Sequence, residues 1–164
     1  MSGPDTEQRQ WVLLSYRLPR EPSTPRITVW RKLKRLGVAQ ISDGLIALPA
    51  DARTREQLEW IAEEVTDSGG TATVWIAHPS TAGDEQQLID AMAQARAAEY
   101  QQVHTEAEAA REGDDAERRR ALTRLRAELR RIQRRDYFPP PDRQAAEQAV
   151  NALHPANTTK GSTP

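Results

Sequence analysis

The spacing of apolar residues switches repeatedly along residues 11–77, and each switch marks a predicted element. Residues 11–18 (WVLLSYRL) form a dense apolar run of strand length, closed by Pro19, and read as a central first strand. A linker with two prolines, residues 19–23, leads into a helical pattern. There Ile27, Val29, Trp30, Leu33 and Leu36 fall on one half of a helical wheel, and Arg31, Lys32 and Arg35 on the other. Thr24 is the expected N-cap, Pro25 suits the first turn, and Gly37 is the expected stop. Two short apolar runs, residues 38–41 and 45–48, flank Ser42-Asp43-Gly44 and predict a hairpin.

Residues 51–54 offer a second helix start. Leu58, Ile61, Ala62 and Val65 then recur at helical spacing, with Glu63, Glu64 and Asp67 outward. Gly69-Gly70 ends that helix, and residues 71–77 (TATVWIA) return as a β-branched strand before Pro79. The order β-α-β-β-α-β predicts an α+β, ferredoxin-like domain over residues 10–80, with helices on one face of a four-stranded antiparallel sheet. Trp11, Trp30, Trp60 and Trp75 all fall on expected inner faces, so they are read as core and not as base-stacking platforms.

Residues 81–153 predict a helical extension, a hairpin or arm of three parts. Residues 84–112 form a long, alanine-rich helix, which Gly113-Asp114-Asp115 stops and recaps. Leu122, Leu125, Leu129 and Ile132 then repeat at alternating three- and four-residue spacing, a seam of about two heptads that suits packing on one neighbour. After Phe138-Pro139-Pro140-Pro141, residues 142–153 predict a last small helix. Residues 1–9 and 154–164 are polar and expected to be disordered.

The 164 residues suit one domain with an appendage, and a charged fraction of 29% against an apolar 37% predicts solvated helices alongside the core. The formal net charge of −1 argues against a non-specific polyanion binder. Without cysteine, the chain has no disulfide, thiolate metal site or thiol chemistry. The polar first ten residues and the lack of a long apolar run predict a cytoplasmic protein with no membrane partner.

Charge is nevertheless segregated. Residues 84–117 carry ten acidic side chains against two arginines, whereas residues 118–135 carry nine arginines against Glu128. Arg119, Arg126, Arg130 and Arg134, with Arg120 and Arg131, sweep an arc beside the leucine seam. On one reading the arc is a nucleic-acid face that neutralises successive phosphates. On the other, the acidic and basic helices form an antiparallel hairpin whose charges fix register internally. Such exposed pairs contribute only about 0.2–1 kcal/mol each.

Other chemistry is sparse. His104 and Glu108 sit one helical turn apart without a third ligand, and Glu63, Glu64 and Asp67 read as a helix surface. No P-loop, nucleophile-elbow or dinucleotide glycine pattern occurs, so no cofactor, metal or catalytic residue is expected.

Three segments carry a resemblance. They are LPREPSTPRITVWRKLKRLGVAQISDGLIALP, SGGTATVWIAHP and RAELRRIQRRDYFPPPDRQAAEQAVNAL. With the pattern R-x-x-VWR-x-LK-x-LG…DG…LP, the chain resembles the N-terminal domain of the chromate-resistance protein ChrB over residues 11–153. Its first part is also similar to the central, ferredoxin-like domain of PaaX-type repressors. The resemblance implies a regulator of chromate-efflux genes. The larger C-terminal domain of that family is expected to be absent here, and no winged-helix pattern precedes Trp11. Small ferredoxin-like proteins that resemble CRISPR-associated spacer-acquisition nucleases carry a metal-binding acid at the end of the first strand. Here Tyr16, Arg17 and Leu18 stand in its place, which argues against a nuclease.

The expected function is thus a non-enzymatic regulatory module that binds DNA through Arg31, Lys32, Arg35, Arg119, Arg126, Arg130 and Arg134. The alternative is an interaction module that docks a partner protein, or a second copy of itself, through Leu122, Leu125, Leu129 and Ile132.

Overall fold

A computed structural model of the chain describes residues 9–157. These residues fall into two compact units that divide after Ile89. The first contains β1 (Trp11–Arg17), α1 (Thr24–Leu36), β2 (Ala39–Ser42), β3 (Leu45–Pro49), α2 (Ala52–Asp67) and β4 (Thr71–Ala77). Helix α3 (Ala82–Ala110) begins in it and continues into the second, which adds α4 (Asp115–Arg134) and α5 (Asp142–Asn151).

The four strands make one antiparallel sheet in the order β2-β3-β1-β4, so the apolar first strand lies inside. Register decides which face each side chain joins, because neighbours along a strand point to opposite sides. Val12 pairs with Leu48 and Leu14 with Ile46, and all four are fully buried. Helix α2 packs on β1 and β4 and lies beside α1. The two helices bury Val29, Leu33, Leu58, Ile61 and Val65. Asp51 caps α2 through a reciprocal box with Thr54, whose hydroxyl also donates to the Pro49 carbonyl at 2.7 Å and ties the helix start to β3.

Three tryptophans depart from the expected core. Only Trp11 is fully buried. Trp75 pairs with Leu13, and so falls on the sheet face away from Val12 and Leu14. It stays 53% exposed and donates its indole N–H to Ser15 Oγ at 3.0 Å. Trp60 lies across the α2 wheel from Leu58, Ile61 and Val65 and is 61% exposed. Trp30 is half-buried, with Lys34 Nζ 5.6 Å from its ring centre. Ile27, at the edge of the α1 stripe, is also exposed. Helix α1 starts one residue early, so Ser23 and not Thr24 is its N-cap, and no side chain caps it.

Asp43-Gly44 turn the β2–β3 hairpin, with an irregular register between Gln40 and Ser42. Gly44 takes φ +73°, its carbonyl accepts from Tyr16 N–H at 2.8 Å, and a Cβ there would lie 2.5 Å from the Tyr16 carbonyl oxygen. No side chain fits at that point, which pins the hairpin tip to the end of β1.

In the second unit, Leu122, Leu125, Leu129 and Ile132 are buried in one cluster with Tyr100, Val103, Ala107, Ala146, Ala149, Val150 and Leu153. This overturns the docking seam. The four residues are covered by α3 and α5 of the same chain, because two heptads of leucine suffice to bury one helix between two neighbours. The expected disorder of the tail needs correction at residues 154–157. Residues 155–157 form a short 3-10 turn, and Asn157 Nδ2 donates to the Asn151 carbonyl at 2.9 Å. At the other end Arg9 is described, 3.7 Å from Glu85, and residues 1–8 and 158–164 lie outside the described residues.

Two stability measurements check this packing by chemical denaturation. Gly44→Ala is expected to cost more than about 1 kcal/mol, since it combines a positive φ with a backbone clash. Leu125→Ala is expected to cost about 2–5 kcal/mol, as for an enclosed leucine. A neutral Leu125→Ala would mean that the seam is not enclosed.

Candidate nucleic-acid interface

The arginine surface is built by how α4 is held. Asp114 caps the helix, accepting from Glu117 N–H at 2.8 Å, while Glu117 Oε2 accepts from Asp114 N–H at 2.8 Å. The buried seam then fixes the rotation of the helix. Residues at 119, 126, 130 and 134 consequently emerge together on an exposed arc beside the seam, over a length of about 22 Å.

The arginines divide into two classes. Arg124 reaches Glu106 on α3 at 3.1 Å, and Arg135 pairs with Glu99 on α3. Arg131 pairs with Glu128 at 2.5 Å, and Arg118 with Asp115 while also donating to the Gly113 carbonyl at 2.8 Å. Arg119, Arg120, Arg126, Arg130 and Arg134 are exposed, and no carboxylate among the described residues lies within ion-pair distance of them. The two readings of the charge pattern therefore apply to different residues. Arg124 and Arg135 are spent on α3 and Arg118 and Arg131 within α4 itself, and those on the outer arc are left over.

The α1 candidates lie in the other unit and divide likewise. Lys32 Nζ is 2.7 Å from Glu64 Oε2 on α2, so its charge is largely neutralised within the chain. Arg31 and Arg35, one turn apart, are exposed with no carboxylate partner among the described residues.

A polar network that sequence reasoning missed locks the end of α4. Tyr100 is fully buried, and its hydroxyl donates to Asp136 Oδ2 at 2.7 Å. Arg96 lies 2.8 Å from Glu99, the carboxylate that also pairs with Arg135, so one acid bridges two guanidiniums. Arg143 reaches Glu147 at 3.0 Å, and Gln133 donates to the same carboxylate at 2.8 Å. Burial, the hydrogen bond to Asp136 and that carboxylate's charge all push the Tyr100 hydroxyl pKa well above its ordinary value of 10.0. Burial lowers the Arg96 pKa, with Glu99 opposing it. The one available signal was Tyr100 standing among alanines on an otherwise polar helix, four residues after Arg96.

The family of N-terminal ChrB domains matches residues 26–159. This chain belongs to the ChrB N-terminal family. It is similar to Protein ChrB of Cupriavidus metallidurans, with 30% identity over 140 residues. The match covers 83% of this chain and 43% of that protein, so the chain spans less than half the length of the ChrB relative. No solved structure matches. The matched residues of the ChrB family include both the α1 basic patch and the whole of α4. Among the described residues, no three of His, Cys, Asp and Glu gather where a metal could be held, and no helix is long and apolar enough to cross a membrane.

The Tyr100 lock has a pH signature. The folded state holds the phenol neutral above the unfolded value of 10.0, so its contribution is complete below pH 10 and declines as pH rises beyond it. Tyr100→Phe is expected to be less stable than wild type at neutral pH and to lose stability less steeply above pH 10. Urea denaturation across that range measures both slopes, and parallel slopes would remove Tyr100 as the source.

Proposed function

We propose that this chain is a non-enzymatic regulatory module that binds double-stranded DNA through the outer arc of α4, in chromate-resistance-type regulation. The observation that carries the reading is the set Arg119, Arg126, Arg130 and Arg134, aligned on one exposed face with no carboxylate partner among the described residues. A helix with side chains is about 10–12 Å across and the major groove about 12 Å wide, so α4 can present that face to both phosphate rims. Arg31 and Arg35 offer a second, smaller basic patch, while Lys32 is held by Glu64. The regulatory setting comes from the ChrB family, and the surface from the residues themselves.

We read the first unit as ferredoxin-like. Its βαββαβ order and its antiparallel sheet β2-β3-β1-β4, with β1 inside, support that arrangement. The non-enzymatic reading draws on the end of β1, where Tyr16 and Arg17 stand instead of a carboxylate.

The test is duplex-DNA binding against salt. Four engaged phosphates give a slope of about −3.6 in log K against log salt, which is roughly a 150-fold loss between about 50 and 200 mM. The double charge reversal Arg126→Glu/Arg130→Glu is expected to abolish binding and leave the thermal melt unchanged. Wild-type affinity in that variant would refute the α4 surface.

A further inference from the structure

The first unit contains a second cationic feature, apart from both basic patches. A cleft of about 950 Å³ opens between the end of β1, the start of α1 and the tip of the β2–β3 hairpin. Arg17, Arg20 and Arg26 line it, and no carboxylate among the described residues pairs with any of them. Ile27 and the half-buried Trp30 supply an apolar wall. This cleft explains two residues that the core does not use, since Ile27 is 48% exposed despite its place in the apolar stripe.

We propose that this cleft is a binding site for a nucleoside 5′-phosphate, with the phosphoryl group on Arg17, Arg20 and Arg26 and the base against Trp30 and Ile27. The charge count selects the ligand class. A phosphate monoester carries nearly two negative charges and three strong acceptor oxygens at neutral pH, which suits three guanidiniums better than a single carboxylate does. The volume lies within the range of small-molecule sites, about 300–1,000 Å³, and far exceeds what a bare oxyanion needs. The apolar wall gives the remaining space a purpose, because bases stack on aromatic rings.

Tyr16 adds a neutral donor. Burial raises its pKa above 10.0, with Arg26 pulling it down and Asp43 pushing it up, so its hydroxyl stays protonated at neutral pH. Asp43, at the hairpin tip, is the one acid lining the cleft among the described residues, and it suits a ribose hydroxyl or an exocyclic amine better than a phosphate. The pinned turn at Gly44 holds that wall in place without a ligand.

Trp30 makes the test direct. Titration of the full chain with adenosine 5′-monophosphate is expected to change tryptophan emission saturably, and Trp30→Phe to remove most of that change. Arg26→Ala and Arg20→Ala are each expected to weaken binding about tenfold or more, as loss of a guanidinium–phosphate contact does. Both side chains are exposed, so unchanged circular dichroism and melting are expected. Inorganic phosphate is expected to bind at least about tenfold more weakly, because it forgoes the apolar wall. A 5′-phosphorylated tetranucleotide that binds more tightly than the mononucleotide would assign the phosphate to a strand end, and equal binding to a free nucleotide. Either result supports the site. Absence of saturable mononucleotide binding, indifference to Arg26→Ala, or equal affinity for inorganic phosphate would overturn it. Arg126→Glu/Arg130→Glu is expected to retain mononucleotide binding, which separates this site from the α4 surface.

Discussion

The enclosure of one leucine seam sets what the second unit can do. An amphipathic helix buried along Leu122, Leu125, Leu129 and Ile132 has no rotational freedom left, because any turn about its axis would bring arginine into the cluster and leucine into water. Fixing that axis fixes the arc. The outward arginines are aligned because the inward leucines are, and the capping box at Asp114 with the Tyr100–Asp136 bond near the other end holds the helix along its length.

Electrostatics then refines the placement without driving it. Arg124–Glu106 joins half-exposed side chains, and pairs of that kind contribute about 0.2–1 kcal/mol at most. The cluster around Glu99 differs, since Arg96 and Arg135 are both well shielded and a single carboxylate serves the two. Removing Glu99 would strand two poorly solvated guanidiniums, so the pair matters more for what its absence would cost than for what its presence adds. Segregation of charge along the sequence therefore has a structural half and a surplus half.

Most of the fold was legible in the residues. The strand-length run at 11–18, the stripe of Leu58, Ile61 and Val65, the glycine stops and the Asp51 and Asp114 caps each state a local preference that tertiary packing left in place. The tryptophans were not legible, because hydrophobicity does not report which way a side chain points. Trp75 alternates with Val74, so pairing Val74 with Leu14 sends Trp75 to the other face, and only the register reveals that. The fate of the leucine seam was equally hidden, since a two-heptad stripe looks the same whether its partner is another protein or the next helix of its own chain. Local spacing showed that Lys32 belonged to the polar half of α1 but not that Glu64, on the neighbouring helix, would take its charge. The arginine-lined cleft was invisible for a related reason, since its walls come from three separate segments.

The surplus arginines carry a cost that bears on their role. Arg126 and Arg130, and Arg130 and Arg134, are spaced i,i+4, where like charges destabilise a helix by about 0.2–0.5 kcal/mol per pair. An acid at any intervening outward position would relieve that repulsion, yet Thr123 and Ala127 occupy the same arc and Glu128 turns toward Arg131 instead. A helix optimised for its own stability would alternate signs along this face, as α2 does at Arg55 and Glu59. The repulsion falls when a polyanion lies along the arc, so the same arrangement that weakens the isolated helix strengthens a complex with phosphate. Uniform sign on an exposed, well-anchored face is thus a physical argument for an external anion that does not depend on the family assignment.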